Sequence, residues 1–128
     1  MGSGRDWDDA PAKKSIDFFI RAVREHNRVT SVRQESPNLY IVERDGLSTV
    51  RVWLCDVYTL GVADYMHIRH EDPDVNCIVT ISGFNSWTWD AKEAGYDDGV
   101  AVFKFGEFLG ALHREGDDFV QYEPPKRS

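Results

Sequence analysis

The sequence predicts an α/β fold in the order α-β-β-α-β-α-β-α, with a mixed central sheet flanked by helices. Three observations predict it. Ile16, Phe19, Ile20 and Val23 recur at i, i+3, i+4 and i+7, the period of one buried helix face. Two apolar pieces, 39–42 and 48–57, are joined by the turn signal Arg44-Asp45-Gly46, which reads as an antiparallel hairpin. Beyond residue 57, short apolar runs alternate with helix-length segments, the pattern of right-handed crossovers between parallel strands.

Taken in order, residues 1–12 are small, acidic and proline-punctuated, and are expected to be a flexible lead-in. The opening MGSG fits an expression scar and a native start equally. A single domain is expected over 13–115. Its first helix runs from Lys13 to about His26, and Arg21, Arg24 and Arg28 form a stripe beside the apolar face if the helix reaches Arg28. A strand can open at 29–32, before the hairpin. In the second hairpin strand Val50, Val52 and Leu54 point one way and Trp53, Cys55 and Val57 the other. Apolar residues on both faces suit a strand covered on both sides.

Residues 58–71 read as a helix ended by Asp72-Pro73-Asp74, because the residue before proline resists the α conformation. Cys77 to Ile81 is a short continuous apolar run, the mark of a buried strand. Thr88 is a good N-cap for the next helix, and Asp90 suits the positive end of its dipole. Ala91, Ala94 and Gly95 keep one side of that helix thin, and Asp97-Asp98-Gly99 ends it. A last strand over 100–105 and a last helix over 107–113 follow, with 116–128 as a polar tail.

The chain has 128 residues, enough for one domain with a sizeable core, and 41% of them are hydrophobic. No apolar run approaches the roughly 20 residues of a membrane span, and no signal-peptide pattern opens the chain. A cytoplasmic protein without membrane contact is expected, with Cys55 and Cys77 as buried, reduced thiols. The net charge of −7 argues against a broad nucleic-acid-coating surface. The charge is uneven, since residues 13–51 carry eight Lys/Arg against five Asp/Glu and residues 52–128 carry six against fourteen. His67 and His70 share helical i, i+3 spacing without a third ligand at short range, which favours a solvated helix face. Walker, G-x-G-x-x-G and G-x-S-x-G patterns are absent.

The segment CIVTISGFNSWTWDAKEAGYDDGVAVFKFGEFLGAL, residues 77–112, resembles restriction-endonuclease-like domains of the Mrr type. The shared features are the apolar strand 78–81 ending at Ser82, then Phe84, the Thr88 cap, Ala91-Lys92, Gly99-Val100 and Glu107-Phe108-Leu109. The resemblance implies a restriction-endonuclease-like fold over 13–112, in detail only over 77–112. It also implies where the chemistry would sit. In such domains an Asp opens one strand, and a Glu or Gln lies two positions before a Lys in the next; the acids hold a divalent metal and the Lys helps activate water. At the matching positions this chain has Asn38, a poorer ligand for a hard cation, and a strand Val52-Trp53-Leu54-Cys55-Asp56 with no lysine.

A degenerate, non-catalytic domain therefore leads, acting as a small nucleic-acid-associated or defence-system accessory, with Arg21, Arg24 and Arg28 on phosphates and no cofactor. One alternative is a metal-dependent DNA endonuclease with relocated acids among Glu25, Glu43 and Asp56, using a divalent ion such as magnesium; Glu35 is a further acid near the missing motif. Lys92 and Lys104 map to the scaffold half. The other alternative is an acidic protein–protein interaction module that uses the charge-rich 90–98 and 115–118 surfaces and the edge formed by Trp87 and Trp89. Oligomeric state is open on all three readings.

Overall fold

The computed structural model describes residues 11–125. Helix α1 (Lys13–Arg24) leads into β1 (Val29–Gln34), β2 (Leu39–Arg44) and β3 (Leu47–Cys55). The short β4 (Thr59–Leu60), α2 (Val62–Glu71), β5 (Cys77–Thr80) and the short β6 (Ser86–Trp87) follow, then α3 (Trp89–Asp98), β7 (Ala101–Lys104), α4 (Phe105–Ala111) and α5 (Asp117–Val120). The main sheet has the order β1-β2-β3-β5-β7. Its first three strands are antiparallel, whereas β3, β5 and β7 run parallel. The mixed α/β sheet with flanking helices is thus as expected, and the order of elements is richer.

Four details differ from the sequence reading. Residues 29–34 form a full edge strand, of which only Val32 is buried, so its apolar signal is weak. The helix expected from Tyr58 begins at Val62, because residues 59–60 instead pair in parallel with 86–87. The last helix begins at Phe105 rather than Glu107. Within the expected polar tail, residues 117–120 are helical and Phe119 and Val120 are buried in the core. Their two apolar side chains pack on the sheet, and Phe103 meets Phe119 edge-on at 5.6 Å between ring centroids.

Two cores sandwich the sheet. On one face Phe19 and Val23 of α1, with Phe108, Ala111 and Leu112 from α4 and its end, cover Tyr40, Val52, Leu54 and Phe103. On the other, Tyr65 and Ile68 of α2 and Ala91 of α3 cover Trp53, Cys55, Ile78 and Val102. The alternation read along β3 is realised, with Val50, Val52 and Leu54 in the first core and Trp53 and Cys55 in the second. The Thr88 hydroxyl accepts the Ala91 N–H at 3.2 Å, and Gly99 closes α3 at φ +73°, where glycine carries no Cβ penalty.

This topology fixes two ends. Strand β3 starts at the β2–β3 turn at Asp45-Gly46, and β5 and β7 join it level with Val52. They finish at Cys55, Thr80 and Lys104, where the chain leaves for α2, for α3 through β6, and for α4. The carboxyl end of parallel strands is where open α/β sheets build ligand sites.

Candidate docking surface at the carboxyl end of the sheet

A polar hub anchors this end. Asp56, one residue past β3, accepts hydrogen bonds on Oδ1 from Ser82 Oγ and from Asn85 Nδ2, each at 2.7 Å. Asn85 is 5% exposed, and its Nδ2 also donates to Thr80 Oγ1 at 2.9 Å. The Thr80 hydroxyl in turn donates to Val57 O and accepts the Val57 N–H. The hub ties the 82–85 turn to the end of β3, so a glycine-containing turn on the surface is held rigidly. Ser82 and Asn85 lie 26 and 29 residues from Asp56, so no local pattern announces the contact.

Around the hub stands the molecule's exposed apolar surface. Tyr58 is 72% exposed, Phe84 89% and Trp89 57%. Val62 and Met66, one helical turn apart on α2, and Phe18 on the first half of α1 are also exposed. Phe18 touches Phe105 at the end of β7, 5.3 Å between centroids. Among the described residues these six are the exposed large hydrophobic side chains; Tyr58, Phe84 and Trp89 belong to the connections at this end of the sheet, Val62 opens α2, and Met66 and Phe18 lie within α2 and α1. Pairing of β4 with β6 brings the Tyr58 and Phe84 segments together, since Ser86 N donates to Tyr58 O at 2.9 Å and Thr88 N to Leu60 O at 3.0 Å.

The two tryptophans divide their work. Trp87 is half-buried, its Nε1 donating to Glu107 Oε1 at 2.9 Å, and the same oxygen accepts the Lys104 N–H at 2.8 Å, which caps α4. Trp89 packs edge-on against Trp87 at 5.0 Å and leaves a face in solvent. Of the pair expected to meet a partner, Trp89 is therefore the accessible member. Behind them Lys92, 1% exposed, donates to Val102 O at 2.6 Å from the outer edge of the sheet. Its ammonium lies 4.5 Å from the Phe103 ring centroid and 4.7 Å from that of Trp87. Burial lowers the Lys92 pKa, with Glu107 acting in the opposite direction. Lys92 closes the sheet edge, and it is sealed from solvent.

The positions that the resemblance matches to a metal site are present and filled otherwise. Asn38 is buried, and its Nδ2 donates to Leu54 O at 3.0 Å while its carbonyl accepts the Leu54 N–H. The acid and lysine would stand at Trp53 and Cys55 or at Leu54 and Asp56; Trp53 and Cys55 are 7% and 2% exposed in the α2-side core, and Leu54 is buried in the other. Desolvation pushes the Cys55 thiol up to about 12, so no thiolate is offered. The three acids considered for a relocated site are apart. Glu25 follows the end of α1, and Glu43 accepts the Thr49 hydroxyl at 2.6 Å, both near the β2–β3 turn. Asp56 lies seven residues further along β3 than Thr49, roughly 23 Å at the rise of an extended strand. Among the described residues no three His, Cys, Asp or Glu side chains are grouped as metal ligands, His67 and His70 included.

The arginine stripe is also broken. Helix α1 stops at Arg24, so Arg28 is not on it; its guanidinium donates to Asp45 O at 3.2 Å and braces the β2–β3 turn. Arg21 and Arg24 remain exposed in the last turn of α1, where the helix dipole favours cations without any ligand. Arg21 is one helical turn from Phe18 on α1, and Arg24 lies a further turn towards β1. The charge-rich 90–98 surface flanks Trp89 on α3, whereas 115–118 lies beyond α4, where Glu115 pairs with Arg44 at 3.1 Å. No helix among the described residues is long and apolar enough to cross a membrane. No family model, curated protein or solved structure matches the chain.

Proposed function

We propose that this chain is a non-catalytic α/β binding module that docks a protein partner on the carboxyl end of its sheet. One observation carries the reading: Tyr58, Phe84 and Trp89 are exposed on segments that hydrogen bonds tie together at the carboxyl end of the sheet, where a monomer gains nothing by displaying them. Aromatic and methionine side chains are the residues that anchor protein interfaces. The corner is also acidic, since Asp56 and Asp90 are both exposed there, which favours a partner segment that combines apolar and cationic groups. Nucleic acid fits less well, because phosphates would meet these carboxylates, and Arg21 and Arg24 belong to the last turn of α1 rather than to the turns that carry Tyr58, Phe84 and Trp89. The resemblance to restriction-endonuclease-like domains supports the same reading: a scaffold of that kind, with Asn38 for the Asp and with no lysine in the strand 52–56, is suited to binding rather than hydrolysis.

The test is photo-crosslinking in cells from a photoreactive residue at position 84, with position 97 on α3 as an exposed control. A discrete protein adduct from position 84, absent from position 97 and lost on Tyr58→Ser with Trp89→Ser, is the expected result. Equal labelling from both positions would overturn the proposal, as would an adduct to nucleic acid.

A further inference from the structure

Away from that corner, beside the β2–β3 turn, His26 is held by both ring nitrogens. Its Nε2 lies 3.1 Å from Leu109 O at the end of α4, and its Nδ1 lies 3.0 Å from the Arg28 N–H. A carbonyl oxygen can only accept, so Nε2 carries the ring proton; a backbone N–H can only donate, so Nδ1 is bare. Only the neutral Nε2–H tautomer makes both bonds. The same short segment carries the end of α1 and the entry to β1: His26 N donates to Val23 O, Val29 N to His26 O, and Asp45 N to Arg28 O.

We propose that His26 is a proton-operated latch: a proton taken up at Nδ1 breaks the contact with the Arg28 N–H and frees the end of α1 from α4 and the β2–β3 turn. The groups that face the ring are mostly cationic. The His113 ring, just beyond α4, is 4.4 Å away between centroids, Arg28 follows in the loop, and Arg44 comes from β2. Of the carboxylates on the same elements, Glu115 is taken up by Arg44 and Ser48, and Asp45 meets this segment through its backbone groups. Glu25, exposed at the end of α1, is the remaining acid of the segment, and it makes no hydrogen bond to the ring. A positive charge on His26 therefore has repulsion from three sides and a lost hydrogen bond against it. Burial, followed by His113, lowers the His26 pKa, in keeping with that geometry.

The sign follows from linkage. The unfolded chain protonates His26 near the ordinary histidine value of about 6.5, and the latched form resists it. The latch is at full strength above that value and weakens as pH falls below it. Release loosens the segment that seats Phe19 and Val23 over Tyr40 and Phe108, which gives the protein a local, acid-triggered opening distinct from the docking corner.

The experiment is long-range ¹H–¹⁵N NMR of the histidine rings in the full chain, with amide hydrogen exchange at about pH 7.5 and about pH 5. The wild type is expected to show the Nε2–H tautomer of His26, titrating below the ordinary value in step with the Arg28 amide resonance. Exchange protection of residues 20–28, corrected for intrinsic rate and compared with β3, falls about tenfold for each unit by which that midpoint is depressed. His113→Gln moves the midpoint upward while the coupling to the Arg28 amide persists. An Nδ1–H tautomer, a midpoint at or above the ordinary value, or unchanged protection through the titration would each overturn the latch. All three readouts come from the wild type, so the outcome does not depend on whether a His26 variant folds.

Discussion

Replacing Gly95 with alanine opposes two rules of known size. Gly95 is an interior residue of α3, and helix propensity alone makes Gly→Ala stabilising by about 1 kcal/mol. The structure predicts the opposite sign. A Cβ at Gly95 falls 2.2 Å from Val100 O and 3.2 Å from Val102 Cγ2. Ordinary contact is about 3.4 Å, so helix and strand must separate by about 1 Å. They cannot do so freely, because Val100 N also donates to Gly95 O at 2.8 Å, and Lys92 holds Val102 O two residues further on. Overpacking costs roughly 1–3 kcal/mol where side chains can yield, and here the obstacle is backbone. A net loss of about 2 kcal/mol is expected, or about 6–12 °C in Tm for a domain of this size. Urea unfolding and thermal melts of the variant measure it. Gly110→Ala is the control: its Cβ meets the Tyr122 hydroxyl at 2.3 Å and the ring edge at 2.7–2.9 Å, so one half-buried side chain near the end of the described residues must shift while no backbone has to, and the change should cost less than Gly95→Ala, about 1 kcal/mol. If Gly95→Ala raises stability, or matches Gly110→Ala, the close approach of α3 to β7 is wrong.

Three further outcomes follow from the same packing. Arg44 is buried and its guanidinium donates to Leu112 O, Arg114 O and Ser48 O, so Arg44→Ala strands the buried Leu112 carbonyl and removes two part-buried bonds; it should cost about 3 kcal/mol in urea unfolding, with early exposure of Phe119 by hydrogen exchange. Thr88→Ala removes the cap of α3 and should cost about 1 kcal/mol in the same assay. Cys55 is pushed up to about 12 and Cys77 upward as well, both by burial, so neither thiol should react with a disulfide reagent at about pH 8 until the chain is unfolded, when both should.

How much of this was legible in the sequence depends on whether the determinant was local. The Thr88 cap, the Gly99 stop, the buried run at 77–80 and the alternation along β3 each rest on neighbours a few residues apart, and each was readable. Strand β1 was only half-readable, because an edge strand with one buried residue has no strong period. The pairing of β4 with β6 involves two residues on each side and leaves no pattern at all. Helix α5 was hidden because two apolar residues among acids look like a tail, although Phe119 and Val120 complete the core.

The docking corner was the least readable feature. Tyr58, Phe84 and Met66 are residues that a sequence would place inside, and only the finished topology puts them outside together. Asp56 was legible only as one of three candidate acids, and its partners Ser82 and Asn85 are set by the parallel pairing of β3 with β5. Lys92 read as an ordinary scaffold residue, whereas it is buried against a strand edge. The arginine stripe failed for a local reason, since the helix ends at Arg24, four residues short of Arg28.

The central claim is that the carboxyl-end surface is covered by a partner protein in the cell. Hydroxyl-radical footprinting by mass spectrometry, run on the purified chain and on the chain inside living cells, tests it directly. Tyr58, Met66, Phe84 and Trp89 are reactive side chains standing in solvent, so all four should be oxidised in the purified protein. The account predicts that these four are protected together in cells while half-buried Tyr122 and exposed His113 are each oxidised to the same extent in both settings. Equal oxidation of the four in both settings would contradict it.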